Sequence, residues 1–329
     1  MANITASDVN KLRQLTGVGM MDCKKALVEC DGDFDKAIDY LRQKGQKMAA
    51  KRADRDANEG VVLAKANGGH GAVIMVSCET DFVATNAEFI AFAQSIIDSA
   101  MEKNLQTKDE VLDMQLNGRA VRDLITDQIG KIGEKIELAH FEVVDAAKVY
   151  AYIHPGNRMA SVVGMSKEGF DEVGHNVAMQ VVAMRPVALD ETTVPQTIID
   201  NELTVAIEKT KEEQVHKAVE AALKKAGINP AHVDTDEHIS SNTAKGWLTE
   251  EQAAQAREIK VKVAEEKAQN LDEKMIQNIA KGRLNKFFQE NTLMNQEYIM
   301  ESKVSVKDFI ARTDKELKCT GFKRLELGV

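Results

Sequence analysis

The side chains of this 329-residue chain that could do chemistry are numerous, but their spacing does not assemble them into a catalytic set. There is no GxxxxGK[ST] phosphate loop, no GxGxxG after a strand, no HExxH pair and no GxSxG elbow. The seven histidines are scattered, and the 52 acidic residues contain no pair that stands apart from helix-surface charge. Four cysteines (Cys23, Cys30, Cys78 and Cys319) form no CxxC pair and have no histidine at ligand spacing, so neither a zinc site nor a disulfide framework is implied. The expectation is a protein without catalytic residues, metal or cofactor, whose chemistry takes place on a partner. One stretch suits contact with such a partner: Cys78-Glu79-Thr80-Asp81-Phe82-Val83-Ala84, where an acid lies beside a large aromatic.

Two rigid elements must position that stretch. Before it, Ala72-Val73-Ile74-Met75-Val76 is a continuous apolar run, which reads as a buried strand because a half-exposed strand would alternate. After it, Thr85-Asn86-Ala87-Glu88 reads as a capping box, and Phe89, Phe92 and Ile96 follow at helical spacing. Thr80 to Val83 are left in a tight connection. On spacing alone the plainer reading is that Phe82 is a core or staple residue and Asp81 a local cap.

The bulk numbers narrow the class. Five per cent aromatic and 29% charged residues describe a helix-rich soluble protein long enough for two or more domains. A net charge of −9 argues against nucleic acid as the main binding surface, since phosphate contacts come from Lys and Arg. The N-terminus opens directly into a helix pattern with no signal peptide, transit peptide or membrane span, and the cysteines suit a reducing compartment, so the expected location is the cytoplasm.

Residues 1–45 read as three short helices. Thr5 caps the first, with Ile4 and Val9 placed as a staple; Val9, Leu12 and Leu15 form its buried stripe and Gly17 ends it. The second starts near Met20, and the third buries Phe34, Ala37, Ile38 and Leu41. Neighbours on a helix point about 100° apart, so Met20 and Met21 cannot both face one core. At least one is a candidate contact, unless both fill gaps at the domain edge. Residues 46–59 are a polar linker with some helix.

The remainder reads as α+β. Residues 60–145 hold a hairpin around Gly68-Gly69-His70-Gly71, a helical stretch at 108–132 and a strand at 136–144. Residues 146–193 repeat the hairpin around Pro155-Gly156-Asn157, with a helix that stops at Pro186, and 292–329 complete this second subdomain with a short helix and a final strand. Two hairpin-plus-helix units suggest duplication. His154 sits at the second hairpin's tip, where a lone loop histidine is ordinarily a solvated side chain. Residues 194–291 turn rich in Ala, Lys, Glu and Gln, and read as a protruding antiparallel helical hairpin, with 231–246 as a polar loop and Thr249 starting a helix by a capping box to Gln252.

The wording of two segments resembles a known family. Leu12-Arg13-Gln14-Leu15-Thr16-Gly17-Val18-Gly19-Met20-Met21-Asp22-Cys23-Lys24-Lys25-Ala26-Leu27 is similar to the first signature of bacterial translation elongation factor Ts, and Glu79 to Ala84 to its second. The resemblance implies a ubiquitin-associated-like N-terminal module, a two-part core of antiparallel sheet plus helices, and guanine-nucleotide exchange on elongation factor Tu, bound both with GDP and free of nucleotide. It implies that Thr80, Asp81, Phe82 and Val83 dislodge the partner's Mg²⁺, and that Met20, Met21 and His154 are further contacts. Ser77 and Thr85 depart from the amide and basic residue frequent in the family, and no C-terminal helical module follows the last strand. The hairpin is longer than the family requires, with the extra material at about 211–268 and the single Trp, Trp247, inside it. Its plain reading is a solvated extension; a homodimer through it is carried as an option. The competing readings are a non-enzymatic adaptor that uses the helical module to bind a protein, in which Thr80–Val83 has no role, and an RNA binder, which conflicts with the charge.

Overall fold

The computed structural model describes residues 4–328, which fall into two compact units: the chain up to Leu189 together with the chain from Gln296, and Asp190–Asn295 between them. The first unit begins with α1 (Ala6–Thr16), α2 (Met20–Glu29) and α3 (Phe34–Arg52). Thr5 caps α1 through a capping box with Asp8, and Gly17 closes it in the left-handed conformation at φ 70°. That turn returns Val18 to the small core of Val9, Leu12, Cys23, Ala26, Leu27, Ala37 and Leu41. Val18 therefore takes the place expected of Leu15, which is 63% exposed; the buried stripe of α1 is only Val9 and Leu12. Helix α3 runs on to Arg52, through the first half of the polar segment 46–59.

The core follows: β1 (Glu59–Asn67), β2 (His70–Cys78), α4 (Asp81–Ala84), α5 (Ala87–Glu102), α6 (Lys108–Asp113), β3 (Gln115–Leu116), β4 (Arg119–Ala120), α7 (Val121–Ile132), β5 (Ile136–Asp145), β6 (Lys148–Ile153), β7 (Met159–Met165) and α8 (Asp171–Met184). Residues 108–132 are thus two helices split by a small hairpin, not one helical stretch. The cause is Asn117-Gly118, both at positive φ (54° and 77°), the residue pair that tight hairpins require. In the second unit α9 (Gln196–Lys225), α10 (Asp236–Ala244), α11 (Glu250–Gln269) and α12 (Glu273–Asn291) follow, after which α13 (Val306–Thr313) and β8 (Cys319–Glu326) return to the first.

Two three-stranded antiparallel sheets, β1-β2-β5 and β6-β7-β8, share one plan: a hairpin, an intervening helical segment, and a third strand beside the hairpin's second. β2 is buried along its whole length because both faces are covered. Ala72, Ile74 and Val76 face the core with Phe89, Ala93, Ile96 and Ile97 of α5, while Val73 and Met75 pack with Val149, Ala160 and Val162 of the second sheet. Polar-apolar alternation would have left one face wet; the continuous run does not.

In the second unit residues 231–246 are not a plain polar loop. Thr235 caps α10, and Ile239 is fully buried with Leu223, Ile228, Val233, Leu248, Ala253 and Ala256. The enlarged segment therefore has a core of its own, which a merely solvated extension would lack. The Thr249–Gln252 capping box starts α11. Trp247 is exposed, tilted against His232 with ring centroids 5.5 Å apart and with Lys245 Nζ 5.4 Å from its centroid.

Candidate functional site

At the end of β2 the chain enters a single helical turn, α4, closed by backbone hydrogen bonds from Ala84 to the Thr80 carbonyl (3.2 Å) and from Thr85 to the Asp81 carbonyl (3.0 Å). The Thr85 hydroxyl donates to the same Asp81 carbonyl at 2.9 Å, so Thr85 ends α4 and does not cap α5. The cap is Asn86, whose side chain accepts from the backbone N–H groups of Glu88 (2.8 Å) and Phe89 (3.4 Å). The sequence offered two adjacent cap-forming residues, and the demand of α4 for a closing hydroxyl decides between them.

A four-residue turn has an inner and an outer side. Val83 packs against the first-sheet core and Ala84 is buried. Asp81 is exposed, and Phe82 is 83% exposed, the highest value among the exposed large apolar side chains of the described residues. Phe82 is therefore neither a core nor a staple residue, and the plainer reading of this position is overturned. Burying so much apolar surface on a partner is favourable by about 2–3 kcal/mol.

The connection before α4 is held from across the sheet. The Glu134 carboxylate, just past the left-handed Gly133 cap of α7, accepts three hydrogen bonds: from the backbone N–H groups of Glu79 (3.1 Å) and Thr80 (3.0 Å) and from the Thr80 hydroxyl (2.7 Å). Glu79 reaches the opposite way. Its carboxylate accepts from the Lys135 backbone N–H (2.6 Å), Arg52 Nη1 (2.6 Å) and Arg55 Nη1 (3.0 Å). Desolvation alone would raise the Glu79 pKa; the Lys135 N–H and the two guanidinium groups overcome it and hold the carboxyl at about 2. Beneath them Cys78 Sγ donates to the Thr80 carbonyl at 3.2 Å, and burial, then the charge of Glu134, pushes its thiol up to about 12. Of the four residues singled out in the sequence, Asp81 and Phe82 point outward, whereas Thr80 and Val83 fasten the turn to the fold.

His154 begins the β6–β7 turn with Pro155, Gly156 and Asn157, and is exposed. Its Nδ1 shares a 3.1 Å hydrogen bond with the Tyr152 hydroxyl. The turn is tied to β1 by the Val62 N–H to Asn157 carbonyl bond (2.7 Å) and by Arg158 Nη1 to Glu59 (2.5 Å). Glu59 is the register partner of Cys78, so the His154 turn and α4 share the same end of the core. Met20 and Met21, at the start of α2, are 56% and 77% exposed, which removes the gap-filler reading for both. The structure gathers α4 and the His154 turn at one end; the two methionines belong to the helical module. Among the described residues no three His, Cys, Asp or Glu side chains converge as a metal site would require, and no helix is long and apolar enough to cross a membrane.

The residues that sequence reading missed are Glu134, Lys135, Arg52 and Arg55. Each lies among other charges in a polar segment, and the only local signal was Gly133, which marks a helix end and hence a turn toward β5.

Comparison with known proteins shows the family. Residues 79–329 match the family model described as Elongation factor TS. The chain is 51% identical over 325 residues to the elongation factor Ts of Phocaeicola vulgatus and 50% identical over 325 residues to that of Parabacteroides distasonis, covering 98% of each chain. It is 41% identical over 332 residues to that of Christiangramia forsetii, covering the whole of both. With its mixed α+β fold and N-terminal helical module, this chain belongs to the elongation factor Ts family.

Proposed function

We propose that this chain is a cytoplasmic, non-enzymatic nucleotide-exchange factor that binds elongation factor Tu in its GDP-bound and nucleotide-free forms and speeds GDP release. The observation that carries the reading is Phe82: a large apolar side chain, 83% exposed, on a turn that Val83 and Ala84 fasten to the core. A protein keeps such a group in water at a free-energy cost unless a partner covers it.

GDP on a GTPase is held through phosphate contacts and a Mg²⁺ that demands near-octahedral geometry, so a small displacement of the supporting elements releases both. In this reading Asp81 and Phe82 enter the partner's nucleotide-binding domain and displace those elements, while Thr80 and Val83 keep the turn in place. Met20 and Met21 give the helical module an adaptable apolar grip on the same domain, and His154 reaches a second domain. The exchange factor needs no catalytic group, because it acts by favouring one conformation of its partner. The second unit, with its own core, is the surface through which a homodimer would form.

The test is release of a fluorescent GDP analogue from elongation factor Tu of the same organism. Wild type should accelerate release strongly, and Phe82→Ala, at an unchanged melting temperature, should lose about one to two powers of ten of the maximal rate, the factor that 2–3 kcal/mol of lost burial corresponds to. Release at the spontaneous rate with wild type present would refute the exchange reading. Equal acceleration by both proteins would refute the role of Phe82 alone.

A further inference from the structure

We propose that Glu134 is the positioning residue that holds the Asp81–Phe82 turn in its exchange-competent conformation. The proposal rests on the exchange-factor reading above for its rate measurement, and on geometry for the rest. A single helical turn is not stable by itself, because ordering its residues costs more than its one or two hydrogen bonds return. Something outside α4 must fix it at both ends. The C-terminal end is fixed by Val83 and Ala84 in the core. At the N-terminal end Thr80 is in the cap position, yet its side chain makes no bond to the turn. Its hydroxyl instead points away, donating to Glu134 Oε1, while both backbone N–H groups entering α4 donate to Glu134 Oε2.

Glu134 thus does from another segment what an N-cap side chain does from within. It sets the direction in which the chain leaves β2, and so the side from which Phe82 emerges. The geometry is reciprocal: Glu79, whose N–H is held by Glu134, holds the N–H of Lys135 with its own carboxylate. Residues 79–80 and 134–135 are clasped by four hydrogen bonds between them, with Arg52 and Arg55 balancing the charge of Glu79. Nothing else among the described contacts fixes the Thr80 N–H.

Two variants separate positioning from stability. Glu134→Ala removes the acceptor. Glu134→Gln retains one carboxamide oxygen for the two backbone N–H groups, and the Thr80 hydroxyl can turn to accept from the amide nitrogen. GDP-analogue release is followed as a function of factor concentration, with full-length wild type, both variants and Phe82→Ala. A displaced turn leaves the methionine grip intact, so Glu134→Ala should lower the maximal rate by about ten-fold or more with an unchanged half-saturating concentration, and Glu134→Gln should recover most of it. A mere folding defect does the reverse, because a smaller folded fraction raises the half-saturating concentration and leaves the maximal rate alone.

Amide hydrogen exchange at Glu79 and Thr80 in the free protein supplies a readout that does not depend on the partner. It should accelerate by about ten-fold or more in Glu134→Ala and stay near wild type in Glu134→Gln. Unchanged protection in Glu134→Ala overturns the proposal whatever the exchange assay gives. A wild-type maximal rate in Glu134→Ala, with Phe82→Ala impaired, overturns it and leaves the wedge standing. Loss in Glu134→Ala with Phe82→Ala unimpaired also overturns it, because the residue would then act on something other than this turn. If wild type itself fails to accelerate release, the exchange reading falls, and hydrogen exchange alone decides whether Glu134 holds the turn.

Discussion

The Glu79 cluster makes a prediction in which charge, not packing, is tested. Glu79→Gln keeps the side-chain volume and one acceptor oxygen but removes the negative charge facing Arg52 and Arg55. The carboxyl of Glu79 is 15% exposed and is held at about 2, against an ordinary 4.5. At about 1.4 kcal/mol per pH unit that difference has a ceiling of about 3 kcal/mol. Arg55 is more than half exposed, so water screens part of the interaction, and about 1–2 kcal/mol is the expected net contribution. The sign follows from the lowered pKa: the stabilisation is fully present above pH 4.5, where the carboxylate is ionised in both states, and is lost as pH falls from 4.5 toward 2. Urea unfolding of wild type and Glu79→Gln at a series of pH values reads this directly. The two proteins should differ by about 1–2 kcal/mol at pH 7 and converge between pH 4.5 and 2. A difference that persists unchanged to pH 2 would show that shape or hydrogen bonding, not charge, is responsible. No difference at pH 7 would show that the cluster contributes nothing net, as many surface ion pairs do.

Three further outcomes follow, two from the same region and one from the helical module. Gly60 sits at φ 147° with the Val76 carbonyl 2.2 Å from where a Cβ would stand, so Gly60→Ala should destabilise the first sheet by about 2–4 kcal/mol, seen as a lower urea midpoint. Cys78, pushed up to about 12, should resist iodoacetamide at pH 8 in the native protein and react only on unfolding; labelling of the folded chain at Cys78, read by peptide mass, would contradict its burial. Met20→Ser and Met21→Ser, at exposed positions, should leave thermal stability within about 0.5 kcal/mol, yet the pair should raise the half-saturating concentration for GDP release without changing the maximal rate.

The sequence marked the elements around the site well because their signals are local. The unbroken run from Ala72 to Val76 specified a strand covered on both faces, and Met20-Met21 could not both be buried on one helix. Asn117-Gly118 carried an equally local signal, a tight hairpin inside a stretch that read as helical throughout. Other features depended on distant chain. Val18 displaced Leu15 from the small core because Gly17 reverses the chain, and Ile239 found a core that its polar surroundings did not announce. At the site itself the exposed residues were legible and the residue that clasps the turn from a distance was not. Asp81 and Phe82 form a contiguous word, whereas Glu134 lies more than fifty residues away and is, in sequence, one of many glutamates.

Separating aim from contact also separates two kinds of binding energy. Contacts made equally with the GDP-bound and nucleotide-free partner hold the complex together but cannot speed release, since only differential interaction shifts an equilibrium or lowers a barrier. In the proposed reading, the grip of Met20 and Met21 is of that uniform kind. An acceleration of about 10⁴-fold needs about 5.5 kcal/mol of differential stabilisation. Burial of Phe82 supplies at most about 2–3 kcal/mol, so Phe82→Ala should weaken exchange without abolishing it. The remainder falls to Asp81 and to the turn's being ordered before the encounter, because a turn that is already folded spares the complex the entropy of folding it. That entropy is what the Glu134 clasp removes in advance. Reciprocity then requires that whatever weakens the factor's effect on GDP weakens GDP's effect on the factor by the same free energy. Glu134→Ala should accordingly narrow the gap between the factor's affinities for the nucleotide-free and GDP-bound partner.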